Sequence, residues 1–157
     1  MMPTIRMNDV KTHRKRDIFV EGPIDPAFIA GSIAKHATRT DIGAHEIFLG
    51  QVRADVIDGR TVEAIEYSTY RDMALERMTA IREEAFTKWP GMTCLHVHHS
   101  LGTIKAGELC FMVFASAPHR HSAREAVAWV VDRIKADLPI FGKEIVEGGG
   151  HIWKRNT

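Results

Sequence analysis

The chain has 157 residues, of which 45% are hydrophobic and 26% charged, the composition of a soluble globular protein. This length suffices for one hydrophobic core, and we predict a single domain over residues 1–157. The 21 basic and 20 acidic side chains leave a formal net charge of +1. That balance disfavours a protein held mainly by nucleic-acid phosphates or by an anionic membrane, but it is compatible with a local cationic pocket for one small anion.

Targeting and redox features of the chain are few. No apolar run reaches the length of a membrane span and the N-terminus lacks the apolar segment of a signal peptide, so we expect a cytoplasmic protein. Residues 1–15, which hold most of the basic run KTHRKR, are expected to form a flexible N-terminal arm. Cys94 and Cys110 lie in strand-like segments and are expected to be buried, reduced thiols.

The first predicted elements are a short strand over residues 16–22 and a helix that begins after Asp25. Asp25 is the expected N-cap and Pro26 the first helical residue. Two strand-like segments follow, over residues 43–53 and 61–70. They flank an Asp-Gly pair that is a strong hairpin signal. The apolar stripe of the first helix consists of Phe28, Ile29, Ile33 and Ala37.

The second half of the chain carries two longer helical patterns. One spans residues 72–91, with Asp72 as the expected cap and a Pro-Gly stop. Strands over 93–100 and 108–117 come next, and the second is so apolar that we expect it to be buried on both faces. Ser122 and Glu125 form a capping box that opens the last helix, which ends at a proline. The order βαββαββαβ predicts an α+β fold with a mostly antiparallel sheet and about three helices.

Nine histidines raise the question of a metal site, and His96, His98 and His99 are the densest group. On a strand, His96 and His98 share one face while His99 points to the other. The spacing specifies no third ligand, so we interpret them as surface histidines and predict no metal site. A metal-binding protein would be favoured only if His96, His98 and another histidine converged.

Four cationic side chains are candidates for binding an anion. Arg53 ends a strand in which Gly50 permits close backbone approach. His119 and Arg120 directly precede the predicted helix cap, where free amides accept anions. Lys135 continues the row of an apolar helical stripe. For each of them an exposed, solvated side chain is the alternative, and for Lys135 that alternative is snorkelling.

Five segments, GAHEIFLGQVR, IEYSTYRDMA, HSLGTIKAGE, ASAPHRHSAREA and IKADLPIFGKE, occur in this order between about Gly43 and Trp153. Together they resemble the large, catalytic subunit of molybdopterin synthase. The resemblance implies an α+β fold of the α/β-hammerhead type that forms a homodimer. It also implies a small ubiquitin-like sulfur-carrier subunit with a C-terminal Gly-Gly that docks at each end, which makes a heterotetramer.

The activity that the resemblance implies is a sulfur transfer in molybdenum cofactor biosynthesis. The carrier delivers sulfur as a C-terminal thiocarboxylate, and cyclic pyranopterin monophosphate receives two sulfurs that become the dithiolene of molybdopterin. No cofactor is implied. The implied catalytic residues are Lys135 and Lys143. The implied substrate-binding residues are Gln51, Val52, Arg53, His119, Arg120, Lys135, Gly142, Lys143 and Glu144.

One position departs from the family pattern. Gly142 stands where the family commonly has a lysine, and Lys143 follows it. Either Lys143 reaches the pocket, helped by the permissive backbone of Gly142 and oriented by Glu144, or that cation is absent. Loss of the cation would fit an alternative function, a non-catalytic homologue that binds the carrier without turnover.

Overall fold

The computed structural model describes residues 16–155. The expected N-terminal arm, residues 1–15, lies outside the described residues. Within the described part the chain forms three α-helices, a single 3₁₀ turn and eight strands. In chain order these are β1 Phe19–Glu21, α1 Pro26–Lys35, the 3₁₀ turn His36–Thr38, β2 Ala44–Gln51, β3 Val56–Ile57, β4 Arg60–Thr69, α2 Arg71–Lys88, β5 Cys94–Lys105, β6 Leu109–Ala117, α3 Arg120–Asp137, β7 Ile140–Val146 and β8 His151–Trp153.

The strands form one sheet in the order β2-β6-β5-β4-β7-β8, with β1 beside β5 and β3 beside β4. Among the described strands, only the pairing of β1 with β5 is parallel. β5 pairs with β6 through residues 94–99 and with β4 through residues 102–105, so it joins the two halves of the sheet. The predicted α+β fold, with a mostly antiparallel sheet and three helices, is confirmed.

β6 is buried on both of its faces, as its apolar sequence predicted. Phe111 and Val113 belong to the main core, which α2 and α3 cover. Met112 and Phe114 alternate with them and face a smaller cluster on the side of α1. The apolar stripe predicted for the last helix is buried, with Leu138 as the C-cap residue of α3; it consists of Val127, Val130, Val131, Ile134 and Leu138.

The starts of α2 and α3 are shifted from the capping residues that were predicted for them. α2 begins at Arg71 with Tyr70 as its N-cap, so Asp72 lies inside the first turn, where its charge favours the helix dipole. α3 begins at Arg120 after His119, with no side-chain cap. The predicted Ser122 capping box is wrong, because β6 runs to Ala117 and the chain turns into the helix at once.

The local signals at α1 and at the β3–β4 hairpin are confirmed. The amide of Ala27 donates to Asp25 Oδ1 at 2.9 Å, and Pro26 is the first helical residue. Asp58 and Gly59 both have positive φ, 51° and 77°, as the two central residues of a type I′ turn require.

The apolar stripe of α1 is less buried than its pattern suggested. No residue of this helix is buried, and Phe28 and Ile33 are each 43% exposed. Ile29 is partly buried against the cluster of Met112 and Phe114. α1 is therefore held to the sheet by a small apolar contact.

Both cysteines are free thiols; Cys110 is buried, as predicted, whereas Cys94 is only half-buried. Among the described helices, none combines the length and the apolar character needed to cross a membrane.

Candidate active site

A cavity opens at the C-terminal end of α3, where this helix meets five strands of the sheet. α3 contributes Ile134, Lys135 and Leu138 to its wall. A shallower cleft adjoins the cavity and shares Gly50, Gln51, Lys135 and Lys154 with it. The strands and the segment after β8 supply the other lining residues of the cavity: Gly50, Gln51, Tyr67, His99, Cys110, Phe111, Ile140, Gly142 and Lys154.

Two glycines leave this space open. A Cβ atom on Gly50 would lie 3.1 Å from Cβ of Phe111, and one on Gly142 would lie 3.1 Å from Cγ2 of Ile65. The register of β2 against β6 shifts between Gly50 and Gln51, which indicates an irregularity of the bulge type. The close approach that the sequence predicted at Gly50 is therefore present, and it lies in the cavity wall.

Lys135 lies in the wall of both the cavity and the cleft. Its Nζ is 6.0 Å from the ring centroid of Phe111. Burial lowers the pKa of Lys135 below its ordinary value, and the positive charge of Lys154 lowers it further. A larger neutral fraction suits a group that exchanges protons near neutral pH.

Lys154 is a cationic cavity residue that was not predicted from the sequence. It follows β8, its amide donates to the carbonyl of Gly142 at 2.7 Å, and its Cβ lies 3.5 Å from where a Cβ on Gly142 would be. Lys154 thus lies over Gly142, the position at which the resemblance led us to expect a lysine. Only the antiparallel register that pairs Lys143 with Trp153 brings the two positions together.

Lys143 and Glu144 point to opposite faces of β7. Nζ of Lys143 lies 3.9 Å from Glu66 Oε1 and 5.6 Å from the ring centroid of Trp153, and Lys143 is absent from the lining of the cavity. Glu144 is buried on the same face as Gly142. Its negative charge is one of the groups that raise the pKa of Tyr67, although burial of the phenol is the largest cause.

A polar chain crosses the cavity wall. Tyr67 donates its hydroxyl to Sγ of Cys110 at 3.6 Å, and this thiol donates to the carbonyl of Gly50 at 3.5 Å. His99 lies beside them, with its ring 4.9 Å from that of Tyr67. Alternation along the strand predicted that His99 points to the opposite face from His96 and His98. Only strand pairing shows that the cavity lies on the face of His99.

His99 is held in its neutral form. Its Nδ1 is 2.8 Å from the carbonyl of Ser100, which can only accept, so Nδ1 carries the proton and Nε2 the lone pair. Burial lowers its pKa to about 4. At neutral pH this ring is therefore an uncharged hydrogen-bonding group in the cavity wall.

Three consecutive residues at the end of β2 were predicted to bind substrate, and the structure places them in the cavity, the core and the surface cleft respectively. Gln51 lines both the cavity and the cleft. Val52 is 2% exposed, and its side chain belongs to the core. Arg53 follows the strand rather than ending it, lines only the cleft, and donates to Asp55 Oδ2 at 3.2 Å.

His119 and Arg120 lie far from this cavity within one chain. They are exposed residues at the N-terminal end of α3, whereas Lys135 lies 15 residues further along the same helix. At 1.5 Å per residue that separation is about 22 Å. The two groups cannot contact one small anion in a single copy of the chain.

The fold and this site define a class: an α+β protein with a partly enclosed, lysine-lined cavity that is suited to an anionic ligand. The chain belongs to the MoaE family, since the family model described as "MoaE protein" matches residues 21–137. This confirms the family to which the five segments pointed.

Curated relatives carry names that agree with this assignment. The chain is 38% identical over 128 residues to "Molybdopterin synthase catalytic subunit 2" of Aedes aegypti, which covers 80% of this chain and 82% of that protein. It is 34% identical over 139 residues to the molybdopterin synthase catalytic subunit of Drosophila pseudoobscura pseudoobscura. That match covers 88% of this chain, but only 37% of that longer protein.

Solved structures share the fold. Molybdopterin synthase from Staphylococcus aureus superposes with a TM-score of 0.78 at 30% identity, covering 91% of this chain and 99% of that one. A complex of subunits 1 and 2 of molybdopterin-converting factor from Helicobacter pylori 26695 superposes with a TM-score of 0.73. Its identity is 20%, covering 87% of this chain and 88% of that one, so it bears on the fold alone.

Proposed function

We propose that this chain is the catalytic subunit of a molybdopterin synthase. It transfers sulfur from the C-terminal thiocarboxylate of a small ubiquitin-like carrier to cyclic pyranopterin monophosphate, and the product is the dithiolene of molybdopterin. The observation that carries the proposal is the cavity in which Lys135 and Lys154 line one wall. Family membership and the names of the relatives support it.

The charges of the site match those of the proposed reactants. The substrate carries a phosphate, and the carrier brings an anionic thiocarboxylate to the same place. Lys135 and Lys154 attract both anions, while Arg53 at the cleft offers a planar guanidinium that can fork onto phosphate oxygens. The polar wall of Tyr67 and His99 offers hydrogen bonds without adding a further positive charge at neutral pH.

We assign proton transfer and oxyanion stabilisation to Lys135. As an ammonium it stabilises the negative charge that develops on the carrier carbonyl oxygen when a nucleophile attacks that carbon, before the carbonyl re-forms and sulfur leaves. As a neutral amine, which its lowered pKa favours, it accepts a proton at the reacting centre. The remaining wall contacts hold the substrate against this group.

We assign the second cation of the pocket to Lys154 rather than to Lys143. Lys154 projects from the segment that pairs with Gly142 and lines the cavity, whereas Lys143 lies near Glu66. Lys143 and Glu144 then support the wall from β7. On this assignment the glycine at position 142 marks a relocated cation, and the pocket keeps two lysines.

His119 and Arg120 are assigned to the pocket of a second copy of the chain. They lie about 22 Å along α3 from Lys135, so they can share a substrate with a lysine of this type only across a dimer. This agrees with the homodimer that the resemblance implies. The carrier would complete a heterotetramer, and the exposed segment around Ile152 and Trp153, where Trp153 is 56% exposed, is the docking candidate beside the cavity.

The direct test mixes the full chain with thiocarboxylated carrier and cyclic pyranopterin monophosphate and measures dithiolene product. We expect Lys135→Ala to abolish product while the dimer stays folded, Lys154→Ala to reduce it strongly, and Lys143→Ala to reduce it by a smaller factor than Lys135→Ala. Lys105→Ala, an exposed lysine at the end of β5, is the matched control. Near-normal turnover by Lys135→Ala would refute the assignment, and equal losses from Lys135→Ala and Lys143→Ala would refute the ranking.

Mixing two inactive variants tests the shared pocket. A Lys135→Ala chain and an Arg120→Ala chain each lack one group, but a mixed dimer of the two has one complete pocket. We therefore expect activity to return on mixing, towards half of the wild-type value per mixed dimer. No recovery from dimers shown to have exchanged subunits would contradict the assignment of Arg120 to the second copy.

The alternative is a homologue that binds the carrier without turnover, and the observation that favours it is the glycine at position 142. The same assay separates the two functions. A chain that binds thiocarboxylated carrier but forms no dithiolene would have the alternative function.

A further inference from the structure

Three metal-binding side chains converge on the face of the sheet that α1 covers, away from the lysine cavity. His36 begins the 3₁₀ turn after α1. Cys94 and His96 are two residues apart at the start of β5 and therefore share one face of that strand. Their ligand atoms all lie within 4.8 Å of one another. We propose that these three residues form a transition-metal site, for which Zn²⁺ is the best-matched ion.

The two imidazoles are oriented as ligands of one ion. Nδ1 of His36 lies 2.6 Å from the carbonyl of Ser32, so this nitrogen carries the proton and the neutral ring has its lone pair on Nε2. That lone pair points at Nε2 of His96, 3.2 Å away. A backbone carbonyl that holds the second nitrogen of a histidine is the usual support of a metal-bound imidazole.

The separation of these nitrogens fits tetrahedral coordination. Two Zn–N bonds of about 2.05 Å at the tetrahedral angle place the nitrogens about 3.3 Å apart, close to the 3.2 Å between His36 and His96. A Zn–S bond of about 2.3 Å places the sulfur about 3.6 Å from each nitrogen. Since Sγ of Cys94 is already within 4.8 Å, a movement of about 1 Å completes three bonds.

Metal binding replaces protons at this cluster. Without metal, the Nε2 proton of His96 lies between the two rings; with metal, both Nε2 lone pairs bind the ion and His96 carries its proton on Nδ1. The thiol of Cys94 loses its proton and binds as thiolate. The negative charge of this thiolate also offsets the positive charge of Arg82, which is one of the groups that lower the pKa of His96.

The donor atoms select the kind of metal. Imidazole nitrogen and thiolate sulfur suit Zn²⁺, whereas Ca²⁺ and Mg²⁺ require oxygen ligands, and the cluster has none. Three protein ligands leave the fourth position for water. On the sequence alone, His96 and His98 had no third ligand, because the remaining ligands come from the 3₁₀ turn after α1 and from a cysteine on the same strand face as His96.

The site would also fasten α1. This helix has no buried residue, and its apolar contacts are few. An ion that joins His36 to β5 would tie the C-terminal end of the helix to the sheet. Two further rings pack around His36: the centroid of Phe114 lies 5.0 Å from that of His36, and the centroid of His45 lies 5.8 Å from it.

The test uses the full chain, stripped with a chelator and titrated with Zn²⁺ and with Co²⁺, whose absorption reports thiolate ligation and tetrahedral geometry. We expect one Zn²⁺ per chain, a cobalt–thiolate band and a raised Tm. Cys94→Ser and His96→Gln are expected to remove the band and weaken Zn²⁺ binding by more than about 100-fold, beyond the usual cost of losing an outer-shell partner. Cys110→Ser and His121→Gln are the matched controls and are expected to keep the band.

Three results would overturn the proposal: no cobalt–thiolate band, binding well below one ion per chain, or a band that survives in Cys94→Ser. Circular dichroism separates loss of ligation from loss of the fold in each variant. Because the cluster shares no residue with the lysine cavity, Cys94→Ser is expected to keep its sulfur-transfer activity. Failure of the metal proposal and failure of the proposed function are therefore distinguishable.

Discussion

Replacing Gly43 by alanine tests the junction between β6 and α3. Gly43 directly precedes β2, and its amide donates to the carbonyl of Ala117 at 3.0 Å. A Cβ atom on Gly43 would lie 2.2 Å from the carbonyl oxygen of Pro118. Real Cβ contacts essentially never fall below 3.0 Å, so the two backbones must separate by at least about 0.8 Å.

The size of the effect follows from what has to move. The clashing atom belongs to the backbone, so no side-chain rotation relieves it, and overpacking of this kind costs about 1–3 kcal/mol. Alanine also lowers the conformational entropy of the unfolded chain, which stabilises the folded state by about 0.4–1 kcal/mol. We expect Gly43→Ala to lower the free energy of unfolding by about 1–2 kcal/mol, which for a chain of this size lowers Tm by about 2–8 °C.

Urea and thermal unfolding measure this difference, and Gly91→Ala is the matched control. A Cβ on Gly91 would meet no atom within 4 Å, and Gly91 is not among the glycines with positive φ. We expect that control to be as stable as the wild type or slightly more so. A Gly43→Ala chain whose unfolding free energy lies within about 0.5 kcal/mol of the wild type would refute the reasoning, because the Pro118 carbonyl would then yield freely.

Two further predictions concern charge. His99 has its pKa lowered to about 4 by burial, so between pH 6.5 and 4 the unfolded chain binds more protons than the folded one, and stability falls as the pH falls. From pH 7 to 5 this costs about 2 kcal/mol. His99→Gln should flatten that dependence in urea unfolding, and an unchanged slope would contradict it. Arg133→Met should lower Tm, since Arg133 joins Glu84 of α2 to Asp137 of α3, and the difference should shrink in 1 M salt; a salt-independent difference would rule out the ion pairs as its cause.

On the proposed assignment, Lys154 takes the place of the lysine that was expected at position 142. β7 and β8 are neighbouring antiparallel strands, and their register places Lys154, just after β8, opposite Gly142 of β7. A Cβ at position 142 would lie 3.5 Å from Cβ of Lys154, and closer still to Ile65 and Tyr67, at 3.1 and 3.3 Å, so the glycine leaves this crowded place open.

Local patterns in the sequence were sufficient at α1 and at the β3–β4 hairpin, although they misplaced the starts of α2 and α3. Asp25 and Pro26 start α1, and Asp58 and Gly59 form their turn, because caps and two-residue turns depend on neighbours in the chain. The apolar run of β6 predicted burial on both faces for the same reason: every side chain on it is apolar or small. Periodicity also predicted that Lys135 borders a buried stripe.

Tertiary structure alone decided which of these faces meet. Strand pairing brings His99 and Tyr67 into one wall, and the β7–β8 register brings Lys154 over Gly142 while Lys143 points away. The length of α3 separates Arg120 from Lys135. Alternation and helical period specify the face on which a side chain lies, but the partner of that face depends on register and crossover, which arise from contacts between residues far apart in the chain.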